Sequence, residues 1–160
     1  MSKVWLFEGK DYDPAYEDIP NDVLGFVYII TDTETGEKYV GQKRMRKPKV
    51  LPITKSRKRR ARSIVESDWR SYYSSNGVIK ENATAGHTER YQREILHFGS
   101  TKGDLNYLET KEQFDREVLL DDTYLNGIVN CKIHKKHISK KLRQELSHDH
   151  GTTNGNEPTS

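Results

Sequence analysis

The sequence predicts an α+β domain, and four stretches carry this prediction. Residues 26–31 (FVYIIT) and 37–41 are strand-like runs separated by the polar turn DTETGE, which is the pattern of a β-hairpin. Residues 90–98 (RYQREILHF) predict a third strand, and residues 100–120 carry the clearest helical pattern in the chain. Strands mixed with helices, starting from a hairpin, are typical of this fold class.

Local signals support each of these elements. Gly36 can take the positive φ that the hairpin turn needs. Ser100 or Thr101 can cap the long helix. The third strand has one competing interpretation, because residues 94–96 (EIL) would also suit a helix.

The other elements are predicted to be shorter or irregular. Residues 43–62 should form a basic loop, since Pro48 and Pro52 discourage regular structure. Further helices are predicted from about Ser63, over residues 77–85 and over residues 137–146. The chain then divides into an acidic N-terminal arm at 1–22, with room for one short strand, a central domain at 23–146 and a disordered tail at 147–160.

Size and composition narrow the functional class. The 160 residues suit one domain, and 32% of them are charged. No apolar stretch approaches the ~20 residues of a membrane span, so we expect no membrane partner. Cys131 is the single cysteine, which favours a reducing, intracellular setting, and we expect a cytoplasmic location. The sequence leaves the oligomeric state open.

Charge is distributed unevenly along the chain. The net charge is only +3, yet residues 8–22 are mainly acidic, whereas 43–62 contain no acid and 131–143 are again basic. Two separated basic blocks predict a polyanion partner, because Lys and Arg that neutralise phosphates release counterions. The alternative is a solvated loop or a localisation-type run. The predicted nucleic-acid contacts are Lys55, Arg57, Lys58, Arg59, Arg60, Arg62, Lys135, Lys136, Lys140 and Lys141.

Cys131, His134 and His137 have the spacing of a partial zinc site. A fourth ligand is missing, however, and the intervening lysines would repel a cation. We therefore expect the two histidines to lie with those lysines against a nucleic-acid backbone.

Two tyrosines frame the hairpin turn, and the turn length decides whether they meet. With a four-residue loop at 33–36, Tyr28 opposes Gly41. Tyr39 then opposes Ile30, so both phenols lie on one face, diagonal to each other. An odd-length loop would separate them, and simple packing is the ordinary role of tyrosines in strands.

The long helix carries two glutamates beside an apolar stripe. At ~100° per residue, it has two such stripes: Leu105, Leu108 and Leu119 on one side, and Tyr107, Phe114 and Val118 on the other. We therefore expect the helix to be packed on both sides. Glu109 and Glu112 project near the leucine stripe, where a carboxylate needs a partner or a bound cation. The alternative is solvated acids, or an ion pair such as Glu112 with Arg116.

The hairpin motifs resemble the signature of GIY-YIG nucleases. FVY, at 26–28, is followed after ten residues by YVG, at 39–41. The later stretches ESDWRSYYSSN, REILHF, KGDLNYLETKEQFDREVLL and YLNGIVNCKI resemble the phage branch of Seg-like endonucleases, and the resemblance covers residues 24–134. It implies a small three-stranded antiparallel sheet flanked by helices. It also implies cleavage of double-stranded DNA with Mg²⁺, or alternatively Mn²⁺, at one active site.

The resemblance also implies roles for individual residues. Tyr28 or Tyr39 would orient or deprotonate the attacking water, and Gly41 completes the second motif. Glu109 would hold the metal, with Glu112 as the alternative ligand. Lys43 and Arg70 would contact the phosphate, although the long basic loop leaves the matching residue ambiguous. Arg62 is a third candidate for that contact.

Asn126 matches the asparagine that often ends the core of this family, and its alternative role is a plain Asn-Gly turn. The function implied is a phage-encoded or homing-type endonuclease. No separate sequence-reading module is visible, so nicking at short or degenerate sites is equally compatible. Two other functions remain open: a nuclease-fold protein that binds nucleic acid without cutting it, and an inhibitor that docks through its acidic arm.

Overall fold

The computed structural model describes residues 3–56, 58–59 and 61–150, and it shows an α+β fold. Seven strands and three α-helices follow in chain order: β1 (Trp5–Phe7), β2 (Lys10–Tyr12), β3 (Gly25–Asp32), β4 (Lys38–Arg44), β5 (Arg46–Leu51), β6 (Ala61–Glu66), α1 (Gly77–Thr84), β7 (Tyr91–Gly99), α2 (Lys102–Asp115) and α3 (Lys140–His150). No helix in the described ranges is both long and apolar enough to cross a bilayer.

The main sheet has five strands rather than the predicted three. Its order is β2-β1-β7-β3-β4. The expected antiparallel set β7-β3-β4 is present, but β1 pairs parallel to β7 and antiparallel to β2. The sheet is therefore mixed.

The two additional strands come from residues 5–12, for which an extended arm with one short strand was expected. Glu8 and Gly9 both have positive φ, 51° and 77°, as in the two-residue turn of a tight hairpin. Trp5 anchors this hairpin, because its indole is buried and donates to the carbonyl of Trp69 at 2.7 Å. Glu8 gave no sign of a turn, since a charged residue seldom adopts positive φ.

The predicted basic loop is also wrong, because β5 and β6 pair over six residues and form a separate two-stranded sheet. Ala61–Glu66, where a helix was expected to start near Ser63, is a strand. Pro48 is tolerated because both strands of a two-stranded sheet are edges, and an edge strand can lack a ladder donor. The β-branched pair Ile64-Val65 favours the extended backbone.

The hairpin register is confirmed. Tyr28 lies opposite Gly41, and Tyr39 lies opposite Ile30. The loop between the strands contains Gly36 at φ +79°, with its N–H bonded to the Asp32 carbonyl at 2.7 Å.

The predicted helices at 77–85 and 137–146 are present as α1 and α3, and RYQREILHF forms β7 rather than a helix. Thr101 caps α2 by accepting from the N–H of Asp104 at 3.0 Å. The helix ends at Asp115, however, and is packed on one side only, since Phe114 is 64% exposed. Glu117, at φ 52°, turns the chain so that Val118 packs with the leucine stripe.

β3 is buried on both faces and divides the core in two. On the first face Trp5, Phe26, Tyr28, Ile30, Trp69 and Ile95 pack together. On the second face Val27, Ile29 and Val40 pack against α2 and α3 through Leu105, Leu108 and Leu142. The side chains of β3 and β4 therefore point alternately into two different environments.

Candidate active site

The two motif tyrosines lie together on the first face of the sheet. Their ring centroids are 6.4 Å apart. Tyr28 is fully buried, and its hydroxyl donates to Ser74 Oγ at 3.4 Å. Tyr39 is only half-buried, and its hydroxyl lies 3.5 Å from Ser75 Oγ on the same loop.

Gly41 is required by the packing of these tyrosines. A Cβ at this position would lie 2.6 Å from Tyr28 Oη and 3.0 Å from Tyr39 Cε1. Tyr28 lies opposite Gly41 in the ladder, so its phenol crosses over the space that a side chain would fill. The second motif therefore contains glycine because the first motif contains tyrosine.

Burial sets the protonation state of Tyr28. Loss of hydration raises the pKa of this phenol well above its ordinary value of 10.0, and the nearby Tyr72 raises it further. Tyr28 is therefore a neutral hydroxyl at physiological pH. It can donate a hydrogen bond and position its neighbours, but it cannot act as a base.

Lys43 extends the first face towards solvent. It lies two residues after Gly41 on β4 and thus on the same face. Its ammonium is 4.0 Å from the centroid of the Tyr72 ring and 2.6 Å from Asp68 Oδ1. Tyr72 in turn contacts Tyr28, with ring centroids 6.0 Å apart. The positive charge at this end of the tyrosine cluster is thus partly neutralised by Asp68.

Glu109 lies on α2, which packs on the second face. Its carboxylate accepts from Gln113 Nε2 at 3.1 Å. Burial raises the pKa of Glu109, whereas hydrogen bonds from Gln42 and Gln113 lower it, and burial dominates. Within the described ranges no Lys, Arg or His forms an ion pair with Glu109. This carboxylate is therefore held by neutral amides alone.

Glu112 has a different environment. It lies 2.6 Å from His97 Nε2 and 2.9 Å from Arg116 Nε. These hydrogen bonds, first that of His97, lower the pKa of Glu112 to about 2. Its carboxylate is thus already engaged by two partners, and the ion pair with Arg116 that the sequence left open is present.

The surroundings of Glu109 fit a hard divalent cation. Gln42 Nε2 donates to Asn106 Oδ1 at 2.7 Å, so carboxylate and amide oxygens lie along one side of α2. Mg²⁺ prefers oxygen ligands and keeps several waters, so one carboxylate can suffice. The described residues hold no cluster of three or more His, Cys, Asp or Glu suited to a metal. Glu109 would therefore share the ion with water and substrate oxygens.

The sequence did not identify the three amide residues of this site, which are Gln42, Asn106 and Gln113. Asn106, Glu109 and Gln113 are spaced by three and four residues, so they share one side of the helix. That polar stripe next to the leucines was the available signal.

Asn126 fastens the outer edge of β4. Its side chain accepts from the N–H of Val40 at 3.0 Å and donates to the C=O of Val40 at 2.8 Å. Gln113 donates to the same carbonyl at 3.3 Å. The Asn126 side chain therefore bonds to the two backbone groups of Val40 that a neighbouring strand would otherwise pair with, next to Tyr39. Its backbone does not form the simple Asn-Gly turn.

Arg70 is engaged by partners outside the tyrosine pair. Its guanidinium bonds to Glu66 at 2.8 Å and to Asp13 at 2.5 Å, and it donates to the carbonyl of Pro14 at 2.6 Å. Arg70 thus joins the acidic N-terminal residues to the end of β6. The third phosphate-contact candidate, Arg62, is exposed on β6.

The other predicted nucleic-acid contacts lie at two places. Lys55, Lys58 and Arg59 are exposed in the loop between β5 and β6, whereas Arg57 and Arg60 lie outside the described residues. Lys135, Lys136, Lys140 and Lys141 are exposed near the start of α3, where Lys141 pairs with Asp22 at 2.7 Å.

A basic cleft of about 950 Å³ adjoins the amide group of α2. Asn106 lines this cleft together with Lys102, Lys132 and Lys136. Asn106 is bonded to Gln42 and is one helical turn from Glu109. The cleft lined by these lysines therefore adjoins the surroundings of the candidate metal ligand.

Comparison with protein families identifies the relationship. A family model described as "Putative endonuclease segE, GIY-YIG domain" matches residues 5–129, more than three quarters of the chain. The match begins in β1 and includes both tyrosines, Glu109 and Asn126. Comparisons with curated proteins and with solved structures gave no match. The resemblance seen in the sequence is thereby confirmed: the chain belongs to the segE family of GIY-YIG endonuclease domains.

Proposed function

We propose that the protein is a divalent-metal-dependent endonuclease that hydrolyses phosphodiester bonds of double-stranded DNA. The observation that carries this proposal is Glu109, a partly buried carboxylate held by neutral amides beside the strand that carries the second tyrosine motif. A divalent cation would balance both the charge of this carboxylate and that of a phosphodiester. Family membership supports the same chemistry.

The proposed site extends across β4, the edge strand of the sheet. Tyr39, Gly41 and Lys43 point to the first face, and Gln42 points to the second face, where it bonds to Asn106 and Glu109. A scissile phosphate lying along this edge would have the phenol on one side and the carboxylate on the other. This arrangement gives one active site built from two faces.

The solvent exposure of each side chain determines the role that we propose for it. Tyr39 is the accessible phenol and would orient the attacking water, whereas buried Tyr28 positions Tyr39 and fills the space over Gly41. Lys43 would contact the phosphate once the phosphate competes with Asp68 for the ammonium. Arg70 would do so only if its bonds to Asp13 and Glu66 opened.

Glu109 is the proposed ligand for Mg²⁺ or Mn²⁺, and Glu112 is less suited because it already pairs with Arg116 and shares a hydrogen bond with His97. When bound, such an ion supplies charge stabilisation to the phosphate and the leaving oxygen. Lys102, Lys132 and Lys136 would hold the phosphates that flank the scissile bond in the adjoining cleft.

We further infer a phage-encoded, homing-type enzyme acting in the cytoplasm of a host cell. The likeness of the quoted motifs to the phage branch of the family supports this origin. The division into an arm at 1–22, a nuclease domain at 23–146 and a tail at 147–160 stays a prediction, although β1 and β2 of the arm join the main sheet and α3 continues to His150.

Plasmid cleavage tests the proposal. Wild type should nick or linearise supercoiled DNA with Mg²⁺ or Mn²⁺ and leave it intact in EDTA. Glu109→Ala should lower the rate by at least ~10²-fold, since it removes stabilisation present only in the transition state. Glu112→Ala, one turn along the same helix, is the matched control and should retain most activity at temperatures where it is folded.

Two results would overturn the assignment. If wild type binds DNA but cuts none of several sequences with either metal, the protein is a non-catalytic nucleic-acid-binding member of its fold. If Glu109→Ala cuts as fast as wild type, the metal ligand lies elsewhere.

A further inference from the structure

The two-stranded ribbon of β5 and β6 projects from the main sheet. Its six residue pairs run from Arg46–Glu66 to Leu51–Ala61, and neither strand pairs with the five-stranded sheet. Arg46 fixes its base by donating to the carbonyls of Ile19, Pro20 and Val23. The ribbon is therefore held at one end, and its other end carries the loop.

One face of the ribbon carries exposed apolar side chains between charged ones. Residues directly opposite in a ladder share a face, so Pro48 lies beside Ile64 and Val50 beside Arg62. Val50 is 53% exposed and Ile64 is 69% exposed. Large apolar side chains that cluster on a projecting surface indicate a binding surface.

The charge of the ribbon identifies the class of partner. Residues 46–62 contain nine Lys and Arg and no acid. Among those that the structure describes, Lys47, Lys49, Lys55, Lys58, Arg59 and Arg62 form no ion pair with an acidic side chain of the chain. A second copy of so basic a segment would be repelled. A polyanion is the complementary occupant.

Duplex DNA fits this surface better than single-stranded nucleic acid does. Proteins that bind single strands stack the bases on aromatic side chains, but residues 46–66 contain no aromatic residue. Two strands ~4.8 Å apart, with their side chains, match a major groove ~12 Å wide, which is known to admit a two-stranded ribbon.

We propose that the β5–β6 ribbon enters the major groove of the DNA substrate. The face with Pro48, Val50 and Ile64 would contact base edges, including thymine methyl groups, while Arg62 on the same face and the basic loop contact phosphates on either side. The inference rests on the proposed nuclease function for its substrate. It adds a groove-reading element to the proposed nuclease.

Binding measured in EDTA tests the ribbon without cleavage. A fluorescent 30-base-pair duplex, rich in thymine, is titrated with wild type and with Val50→Ser/Ile64→Ser, and anisotropy gives Kd. The double variant should bind about 10-fold more weakly, as expected for lost apolar contacts with base edges. Val78→Ser is the matched control, because Val78 is also 53% exposed but lies on α1. It should bind like wild type, and circular dichroism checks that all variants fold.

Two further arms separate groove contact from charge. Replacing thymine by uracil removes the groove methyl groups, so it should weaken wild type several-fold and change the double variant little. Salt dependence should be equal for those two proteins, because no charge is removed. Lys58→Gln/Arg59→Gln, two exposed cations of the basic loop, should instead reduce the slope of log Kd against log salt by about 1.8, from ~0.9 per lost phosphate contact.

The proposal fails if Val50→Ser/Ile64→Ser binds duplex as tightly as wild type, if uracil has no effect on wild type, or if wild type does not bind duplex in EDTA. These failures are distinct from failure of the nuclease proposal. A protein that cuts plasmid but ignores the ribbon substitutions contradicts only the groove inference, whereas one that binds through the ribbon and never cuts contradicts only the nuclease proposal.

Discussion

Gly41→Ala is the most direct perturbation of the tyrosine pair. The added methyl would lie 2.6 Å from Tyr28 Oη and 2.7 Å from Tyr28 Cζ, well inside contact distance. Tyr28 cannot move easily, since its ring is fully buried and packs between Trp5, Tyr39 and Tyr72. The methyl group must therefore displace a rigid ring or bend β4.

The expected cost follows from overpacking. Inserting a methylene into a well-packed core costs about 1–3 kcal/mol, and the rigid neighbours place Gly41→Ala near the upper end. For a chain of this size that corresponds to a fall in Tm of roughly 4–10 °C. Changing Tyr28 to Phe in the same chain should recover part of the loss, because it removes the atom at 2.6 Å but leaves the ring carbon at 2.7 Å.

Urea unfolding followed by circular dichroism measures these differences. Gly77→Ala is the matched control, because a Cβ there meets nothing within 4 Å. It should change the free energy of unfolding by no more than about 0.5 kcal/mol. If Gly41→Ala is as stable as Gly77→Ala, or if Tyr28→Phe gives no recovery, the packing argument for the glycine is wrong.

Three further predictions concern other parts of the structure. The lowered pKa of Glu112, about 2 against an ordinary 4.5, means that its stabilisation is present above pH 4.5 and is lost as pH falls towards 2. Glu112→Gln should therefore lower the free energy of unfolding by about 1–2 kcal/mol at pH 7, after allowance for solvent screening. In urea titrations the difference between the variant and wild type should shrink between pH 4.5 and 2. A difference that does not change with pH would contradict the ion pair. Asn126→Ala removes the side chain that bonds to both backbone groups of Val40. It should lower the free energy of unfolding, measured in the same way, by about 2–3 kcal/mol. A loss below 0.5 kcal/mol would show that water replaces the side chain. The raised pKa of metal-free Glu109 should make kcat/KM for cleavage at subsaturating Mg²⁺ fall on acidification at a pH above the ordinary glutamate value. A rate independent of pH down to 4.5 under these conditions would contradict its role.

Local signals in the sequence predicted the structure correctly wherever one segment alone determines it. The length of the DTETGE turn fixed the register of β3 and β4, because side chains alternate and the loop sets which residues face each other. Thr101 and Asn76 cap α2 and α1 through their own side chains, so the helix starts were visible.

Features that depend on distant contacts were not visible. Nothing near Trp5 indicates that its strand pairs parallel with β7, which is about ninety residues away in the chain. The ribbon was not predicted because its prolines and basic residues resemble a loop, and the pairing of residues 46–51 with 61–66 is evident only in the structure. The partners of Arg70 come from the N-terminal residues and from β6, and no spacing rule predicts them.

The candidate site shows the same limit. Periodicity placed Tyr28 and Tyr39 on one face, and helical spacing placed Glu109 near the leucine stripe. Neither pattern showed that the tyrosines and Glu109 lie on opposite faces of the sheet and are connected through β4. Gln42 contributes from that strand to the Glu109 side, and its neighbours Gly41 and Lys43 contribute to the tyrosine side.

A double-variant cycle on cleavage tests most directly whether one active site spans both faces of β4. Single-turnover rates on a DNA duplex at saturating Mg²⁺ are compared for wild type, Tyr39→Phe, Glu109→Gln and the double variant. We expect each single change to slow cleavage by at least ~10²-fold and the double variant to be no slower than about the worse single one, because groups that act as a unit are non-additive. If the two losses multiply, or if either single variant cuts at the wild-type rate, the tyrosine face and Glu109 do not serve one reaction.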